Sequence, residues 1–501
     1  MWACFARWRF PSRGEDMDEK INALFTPLVE ALSKVLFWDP FGPHGLNLDI
    51  GAPFPFVVLW LIAGATIFTL WMGFINLRGF PHALSLLTGR FTKSESEGEL
   101  TPFQALCTAL SGTVGLGNIA GVAVAITLGG PGATFWMILA GLLGMSSKFV
   151  ECTLAVKYRQ IEGGRVFGGP MHYLSRGLEK RGLGRLGKVL AILFAIMCIG
   201  GSVGGGNMFQ VNQAFAQMES NFVFMEGNGF WFGLGVAFLV GTIIIGGLTR
   251  IAAVVKWVTP YMCGIYVLFA LYIIAANYDR VGESLLLIVQ SAFQPDAMKG
   301  GIIGVLVVGF QRAAFSNEAG IGSAAIAHSA VRTEEPVSEG FVALLEPFID
   351  TVLVCTMTAL VLIFTGYAMG GSELEGSALT AAAFSSVIPW ANLVLLVCVL
   401  LFALSTMLSW SYYGMQCWNY LFGPYGGRPM VELSYKLLFL ACIVVGASSQ
   451  LGPVLDFSDM MILGMSFPNF IGLFLMGGEV RLALQDYLAR LKSGAIHPVA
   501  A

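Results

Sequence analysis

The stretch Ser111-Gly-Thr-Val-Gly-Leu-Gly-Asn-Ile-Ala-Gly121 puts four glycines among eleven residues in the middle of an apolar run. That run, Phe103 to Gly130, is long enough to cross a bilayer as a helix, which takes about 20 residues at ~1.5 Å rise each. Glycines at this density weaken the helix where they fall. Backbone N–H and C=O groups freed there are not tolerated facing lipid. They are tolerated where they line a buried cavity and meet a ligand. Two readings follow. The stretch is a broken helix that forms a binding site near the membrane midplane, or its glycines only let neighbouring helices approach closely. Taken alone, it leaves both open.

Composition supplies the setting. Of 501 residues, 56% are hydrophobic and only 12% are charged, against about a quarter charged in a soluble domain. The chain reads as an all-α integral membrane protein, with the lipid bilayer as its first partner. A net charge of −3 without a basic stripe speaks against nucleic acid as a partner. The nine cysteines stand singly, mostly inside apolar runs, with no CxxC pair. They indicate neither a disulfide framework nor a zinc site. The five histidines, in loops or at the end of a run, indicate no metal centre and no cofactor.

Residues 1–50 are mixed in character and read as an extramembrane segment without a signal peptide. Within it, Asn22 to Trp38 has the pattern of an interfacial amphipathic helix. Eleven apolar runs of spanning length follow: Phe54–Leu77, Phe103–Leu128, Ala133–Val156, Val189–Met218, Trp231–Gly247, Ala252–Ala276, Gly301–His328, Gly340–Met369, Leu393–Leu421, Tyr435–Ala447 and Met460–Gly477. Gly371 to Pro389 is too polar for another span and reads as an external, hairpin-like helical segment. If the N-terminus lies outside, nineteen Lys and Arg fall in inside loops against seven outside. The bias predicts N-terminus out and C-terminus in.

A second break resolves what the first left open. Gly301 to Ser329 contains Phe315-Ser-Asn-Glu-Ala-Gly-Ile-Gly-Ser-Ala-Ala325, and Gly115-Leu-Gly-Asn-Ile-Ala120 matches Gly320-Ile-Gly-Ser-Ala-Ala325 as Gly-apolar-Gly-polar-apolar-Ala. Five spans separate the starts of the two copies, so they cross the membrane in opposite senses. Inverted repeats, each opened by a discontinuous helix, are one transporter architecture. The predicted organisation is an extra helix at 51–80, a first five-helix repeat at 101–278, a second at 300–478 and a cytoplasmic tail at 479–501.

The breaks also have a chemistry. A half-helix beginning near Asn118 presents free N–H groups and a positive dipole end to a carboxylate. The unwound carbonyls before it suit Na⁺. In Leu401-Phe-Ala-Leu-Ser-Thr-Met-Leu-Ser-Trp410, Ser405 and Thr406 share a helix face with the carbonyl of Phe402, a set that completes a cation shell. The alternative is that both hydroxyls bond back to their own helix.

Val114-Gly-Leu-Gly-Asn118 resembles the unwound first helix of neurotransmitter:sodium symporters of the LeuT fold. Gly112-Thr-Val-Gly-Leu-Gly-Asn-Ile-Ala-Gly-Val-Ala123, Ser316-Asn-Glu-Ala-Gly-Ile-Gly-Ser-Ala324 and Ser409-Trp-Ser-Tyr-Tyr-Gly414 resemble the alanine/glycine:cation symporter family over roughly Phe54 to Gly478. The resemblance implies Na⁺-coupled, in some members H⁺-coupled, import of alanine or glycine by a carrier, here expected to be a monomer. It implies a Na⁺ site at Ser111, Val114, Phe402, Ser405 and Thr406. It implies a substrate site at Thr113, Gly115, Leu116, Gly117, Asn118, Gln210, Phe315, Ser316, Asn317 and Trp410. There the carboxylate meets amides near Leu116 and Gly117, and the ammonium meets the second break. Gln210 forms a polar wall and Trp410 caps the pocket.

Lys148 and Glu151 are expected to pair or to reach the interface, while Arg312, Glu318, Glu346 and Asp350 lie deeper. Such deep charges form either an Arg–carboxylate network or ligand contacts. A proton-coupled carrier of another small zwitterion is the alternative on the same fold. A channel or a membrane enzyme is more remote, since no HExxH, GxSxG or Walker pattern occurs.

Overall fold

Apolar runs become helices throughout, and the one sheet among the described residues is an antiparallel pair, β1 (Gln160–Glu162) and β2 (Arg165–Phe167). The computed structural model describes residues 34–89, 91, 96–294, 301–369, 374–425 and 428–497. Most of the expected helix at Asn22 to Trp38 lies outside them. The helices in order are α1 (Phe56–Trp71), α2 (Phe80–Leu87), α3 (Pro102–Thr113), α4 (Gly117–Gly129), α5 (Ala133–Lys157), α6 (Pro170–Glu179), α7 (Gly184–Asn221), α8 (Gly229–Ile244) and α9 (Gly247–Ala276). Then come α10 (Val281–Phe293), α11 (Gly301–Asn317), α12 (Ala324–His328), α13 (Pro336–Phe364), α14 (Gly376–Val387), α15 (Ala391–Phe422), α16 (Arg428–Ser448) and α17 (Leu451–Ser493).

Seven of these helices are long and apolar enough to cross a membrane, and α3 with α4 makes an eighth if the bent pair is one span. The predicted spans at α1, α8 and α11 are shorter apolar helices of 10–17 residues. The Phe54–Leu77 run stops early because Gly73 and Phe74 adopt positive φ and turn the chain into α2, which has a proline in its first turn. The last run is longer than expected. α17 extends over 43 residues, so a helix continues well past the apolar stretch Met460–Gly477.

Two further differences bear on function. Gly371–Pro389 is, among its described residues, the single helix α14, whose Ser377, Thr380 and Phe384 are buried. A single helix thus stands where a hairpin was expected. Lys148 and Glu151 neither pair with each other nor reach the interface: both are 0% exposed. Lys148 Nζ lies 3.1 Å from Glu346 Oε1, and Glu151 accepts from Asn469 Nδ2 at 2.8 Å. Of the four deeper charges, Arg312 and Glu346 are in ion pairs, whereas Glu318 and Asp350 accept from neutral donors. Arg312 is ion-paired with Asp459, and His328 Nδ1 lies 2.6 Å from Glu339.

The two broken segments run through the centre. α3 begins with a capping box, in which Thr101 Oγ1 accepts from Gln104 N and Gln104 Oε1 accepts from Thr101 N, with Pro102 in the first turn. It packs against α9 and α15, and α11 packs against α5. Both α7 and α13 carry a π-helical stretch, at Gly204–Met208 and Phe348–Cys355, a local irregularity that frequently marks functional positions.

Candidate functional site

The helix axis bends by 49° between α3 and α4. Val114, with φ −74° and ψ 84°, leaves helical geometry, and α4 resumes as a π-helical turn over Gly117–Gly121. In a continuous α-helix the N–H groups of Gly115 and Leu116 would serve the carbonyls of Ser111 and Gly112. Here the Gly115 N–H donates to Asn118 Oδ1 at 2.9 Å, and the Leu116 N–H donates to Gln210 Oε1 at 3.2 Å. The carbonyls of Ser111 and Gly112 are thereby released from their helical partners. On the far side of the break, hydroxyls from neighbouring helices take up the strain of the π turn. Thr358 donates to the Asn118 carbonyl at 2.9 Å and Thr380 to that of Ile119 at 3.1 Å.

The second break is longer. α11 ends at Asn317, Glu318 sits at φ 56°, and Gly320 and Gly322 follow at 82° and 92° before α12 starts. Glycine carries two of these left-handed positions without the clash that a Cβ brings. Glu318 is a non-glycine there, and its carboxylate is held by two donors: Trp410 Nε1 at 3.0 Å and the Ser323 hydroxyl. Asn317 Oδ1 accepts from the Ala319 N–H at 2.9 Å, and its amide donates to Thr351 Oγ1 at 2.9 Å.

The two breaks touch. A Cβ added at Gly117 would lie 3.4 Å from Ser316 Cα. Asp350, on the π-helical stretch of α13, ties them together. Its Oδ1 accepts from Asn118 Nδ2 at 2.7 Å, and its Oδ2 accepts from Ser316 at 2.8 Å and from Thr351 at 2.7 Å. Sequence reasoning noted Asp350 only as a deep charge. Its role as a tie became visible once α13 was seen to cross both breaks.

All fifteen residues singled out from the sequence are buried, but they differ in what they face. Gln210 reaches the first break, as described, and its amide also donates to the Gly205 carbonyl at 2.8 Å. Trp410 reaches the second break through Glu318. Phe315 packs edge-on against Phe209 at 5.3 Å, with the Arg312 guanidinium also 5.3 Å from its ring. Thr113 turns away: its hydroxyl bonds back to the carbonyls of Ala109 and Leu110.

The hydroxyl group on α15 divides. Ser405 bonds back to the Phe402 carbonyl at 3.0 Å, the self-bonding arrangement. Thr406 does not: its Oγ1 is buried without any hydrogen-bond partner and faces Gly115, where a Cβ would come within 2.4 Å of it. Ser111 Oγ reaches the Ser405 carbonyl at 3.3 Å and the Ser409 hydroxyl, which itself donates to the Thr108 carbonyl at 2.8 Å. Ser409 was missed as a site residue, although it opens the Ser409–Gly414 motif. One orphan hydroxyl of α15 thus faces the unwound stretch after α3, where two carbonyls have lost their helical partners. Uncharged oxygens of this kind can serve a hard monovalent cation.

Residues 49–501 match the model of the sodium:alanine symporter family. The chain is 38% identical to the sodium/alanine symporter AgcS of Methanococcus maripaludis, over 85% of this chain and 92% of that protein. It is 40% identical to an uncharacterized transporter of Haemophilus influenzae, over 88% and 94%. Against the probable sodium/glutamine symporter GlnT of Bacillus subtilis it is 34% identical, over 87% and 89%. Its fold is similar to that of MhsT, crystallised with L-phenylalanine, at a TM-score of 0.55 and 16% identity over 78% of this chain and 93% of that one. With this match along nearly its whole length, the chain belongs to the sodium:alanine symporter family, a family of Na⁺-coupled amino-acid transporters and not of enzymes.

Proposed function

We propose that this symporter imports alanine or glycine with Na⁺ by alternating access, and that the cation sits between the first break and α15. The observation that carries the reading is Thr406 Oγ1, buried without a partner and facing Gly115 of the unwound stretch. A buried hydroxyl left unpaired costs about 1–3 kcal/mol, which a bound cation would offset. Ser111, Val114, Phe402, Ser405 and Thr406 supply the oxygens. The substrate carboxylate takes the Leu116 N–H in place of Gln210 Oε1, which fills that position with an amide oxygen here. Gly117, Asn118 and Ser316 form the floor where the breaks meet, and Trp410 closes the space over a methyl-sized side chain.

In this reading α1 is an extra helix before two inverted five-helix repeats, at 101–278 and 300–478. The protein has eleven spans, its N-terminus outside, its C-terminal tail inside, and acts as a monomer. Na⁺ favours the outward-open state by bridging α3 and α15, and coupling is its differential affinity between states. One Na⁺ falling through 100 mV contributes about 2.3 kcal/mol. A tenfold gradient adds roughly 1.4 kcal/mol, so accumulation of several hundredfold is within reach at ~1.4 kcal/mol per decade. The test is labelled alanine uptake into proteoliposomes with and without an inward Na⁺ gradient, with a competition panel of small and large amino acids. Equal uptake in the two conditions refutes the coupling, and absence of counterflow would favour a channel.

One observation favours a second reading, proton coupling. Asp350 is a buried carboxyl in contact with both breaks. Uptake that follows a pH gradient and ignores Na⁺ would select it.

A further inference from the structure

A cavity of about 490 Å³ lies away from both breaks, where α1 ends, α2 begins and α17 passes. Its lining combines apolar side chains, Trp71, Phe341 and Leu488 among them, with two cations, Arg78 and Arg481. Three other basic residues are ion-paired: Lys157 and Arg181 with Glu479, and Arg490 with Glu335 and Asp486. Arg78 and Arg481 are exposed and have no carboxylate partner among the described residues. Arg78 Nη1 reaches only the Gly73 carbonyl, at 3.3 Å. His82 adds a ring held by Tyr487 OH at 2.9 Å, and burial lowers its pKa. Beside the two arginines in the chain stand Leu77 and Leu482, 63% and 68% exposed.

We propose that this cavity binds the headgroup of an anionic phosphoglyceride, with Arg78 and Arg481 on the phosphate and the acyl chains lying along the exposed leucines. Two guanidiniums without a carboxylate partner among the described residues, beside exposed apolar side chains, match a phosphate carried on a hydrocarbon body. A soluble anion would use the charges and leave the apolar wall idle. Basic pockets between helices are a recurring form of lipid recognition, and guanidinium is the group that grips phosphate bidentately. Such a lipid would bridge the α1–α2 region to α17, which is distant from it in sequence.

The experiment is native mass spectrometry of the purified full-length chain titrated with phosphatidylglycerol or with phosphatidylcholine. The expected result is selective retention of one phosphatidylglycerol, weakened on the order of tenfold in the Arg78→Gln/Arg481→Gln double variant. Arg428→Gln, which removes an exposed cation paired with Glu162, should leave retention unchanged. Should the double variant misfold, Leu488→Trp fills the cavity with both charges intact and should also lower retention. Equal retention of the two lipids would overturn the proposal, as would phosphatidylglycerol held undiminished by the double variant or by Leu488→Trp. Displacement of the lipid by millimolar inorganic phosphate would overturn it too, by assigning the cavity to a soluble anion.

Discussion

Gly115 and Thr406 meet so closely that a methyl group on Gly115 would lie 2.4 Å from Thr406 Oγ1, well inside contact distance. The hydroxyl gains nothing from this proximity within the protein, since no donor or acceptor answers it. A buried polar atom held against unwound backbone is costly unless a ligand completes it.

Thr406→Ala should therefore raise the Na⁺ concentration for half-maximal alanine uptake by at least about tenfold, the equivalent of ~1.4 kcal/mol. Its melting temperature without Na⁺ should stay level or rise, because an unsatisfied hydroxyl is removed. Thr406→Ser should retain coupling. Uptake titrated against Na⁺, with parallel thermal unfolding, checks both; unchanged Na⁺ dependence would remove Thr406 from the site.

Gly115→Ala places its methyl against that same oxygen. The two must separate, so the distance between the first break and α15 increases. The expected outcome is uptake reduced at least tenfold with the protein still inserted and monodisperse, measured in proteoliposomes of equal protein content.

Asp350→Asn converts an acceptor of three hydrogen bonds into a side chain that is half donor, facing the Asn118 amide and the Ser316 and Thr351 hydroxyls. At least one donor is left unmet, costing about 1–3 kcal/mol. Transport should be lost and the melting temperature lowered. A variant transporting normally would show that the tie between the breaks is dispensable.

Lys148 and Glu346 are 0% exposed and lie 3.1 Å apart. Lys148→Met leaves the carboxylate buried without its closest cation, and breaking a buried pair costs about 3–5 kcal/mol. Lys148→Met combined with Glu346→Leu should recover much of that loss. Chemical or thermal unfolding of the three variants measures the coupling; additive losses would mean the pair does not act as a unit.

Trp410→Phe deletes the indole N–H that donates to Glu318 at 3.0 Å and shortens the ring over the pocket. Substrate selection should broaden, with serine and larger neutral residues competing for alanine uptake more strongly than in the parent protein. An unaltered competition panel would show that Trp410 does not set the size limit.

Local chemistry was enough to reveal the class of the protein and both breaks. Apolar runs with few charges have no stable alternative to helices in a bilayer, and glycine clusters inside them weaken the helix where they fall. Gly115–Ala120 and Gly320–Ala325 were therefore legible as a pair from the chain alone. What the residues across the breaks do was not legible. Ser405 and Thr406 are adjacent hydroxyls of one helix, yet one bonds back to Phe402 and the other faces Gly115. The partners of Lys148, Glu151, Asn118 and Asp350 come from positions about 200 to 300 residues away or from another helix. Sequence spacing fixes which face of its own helix a side chain occupies. Only packing between helices decides which oxygen, across the interface, that side chain meets.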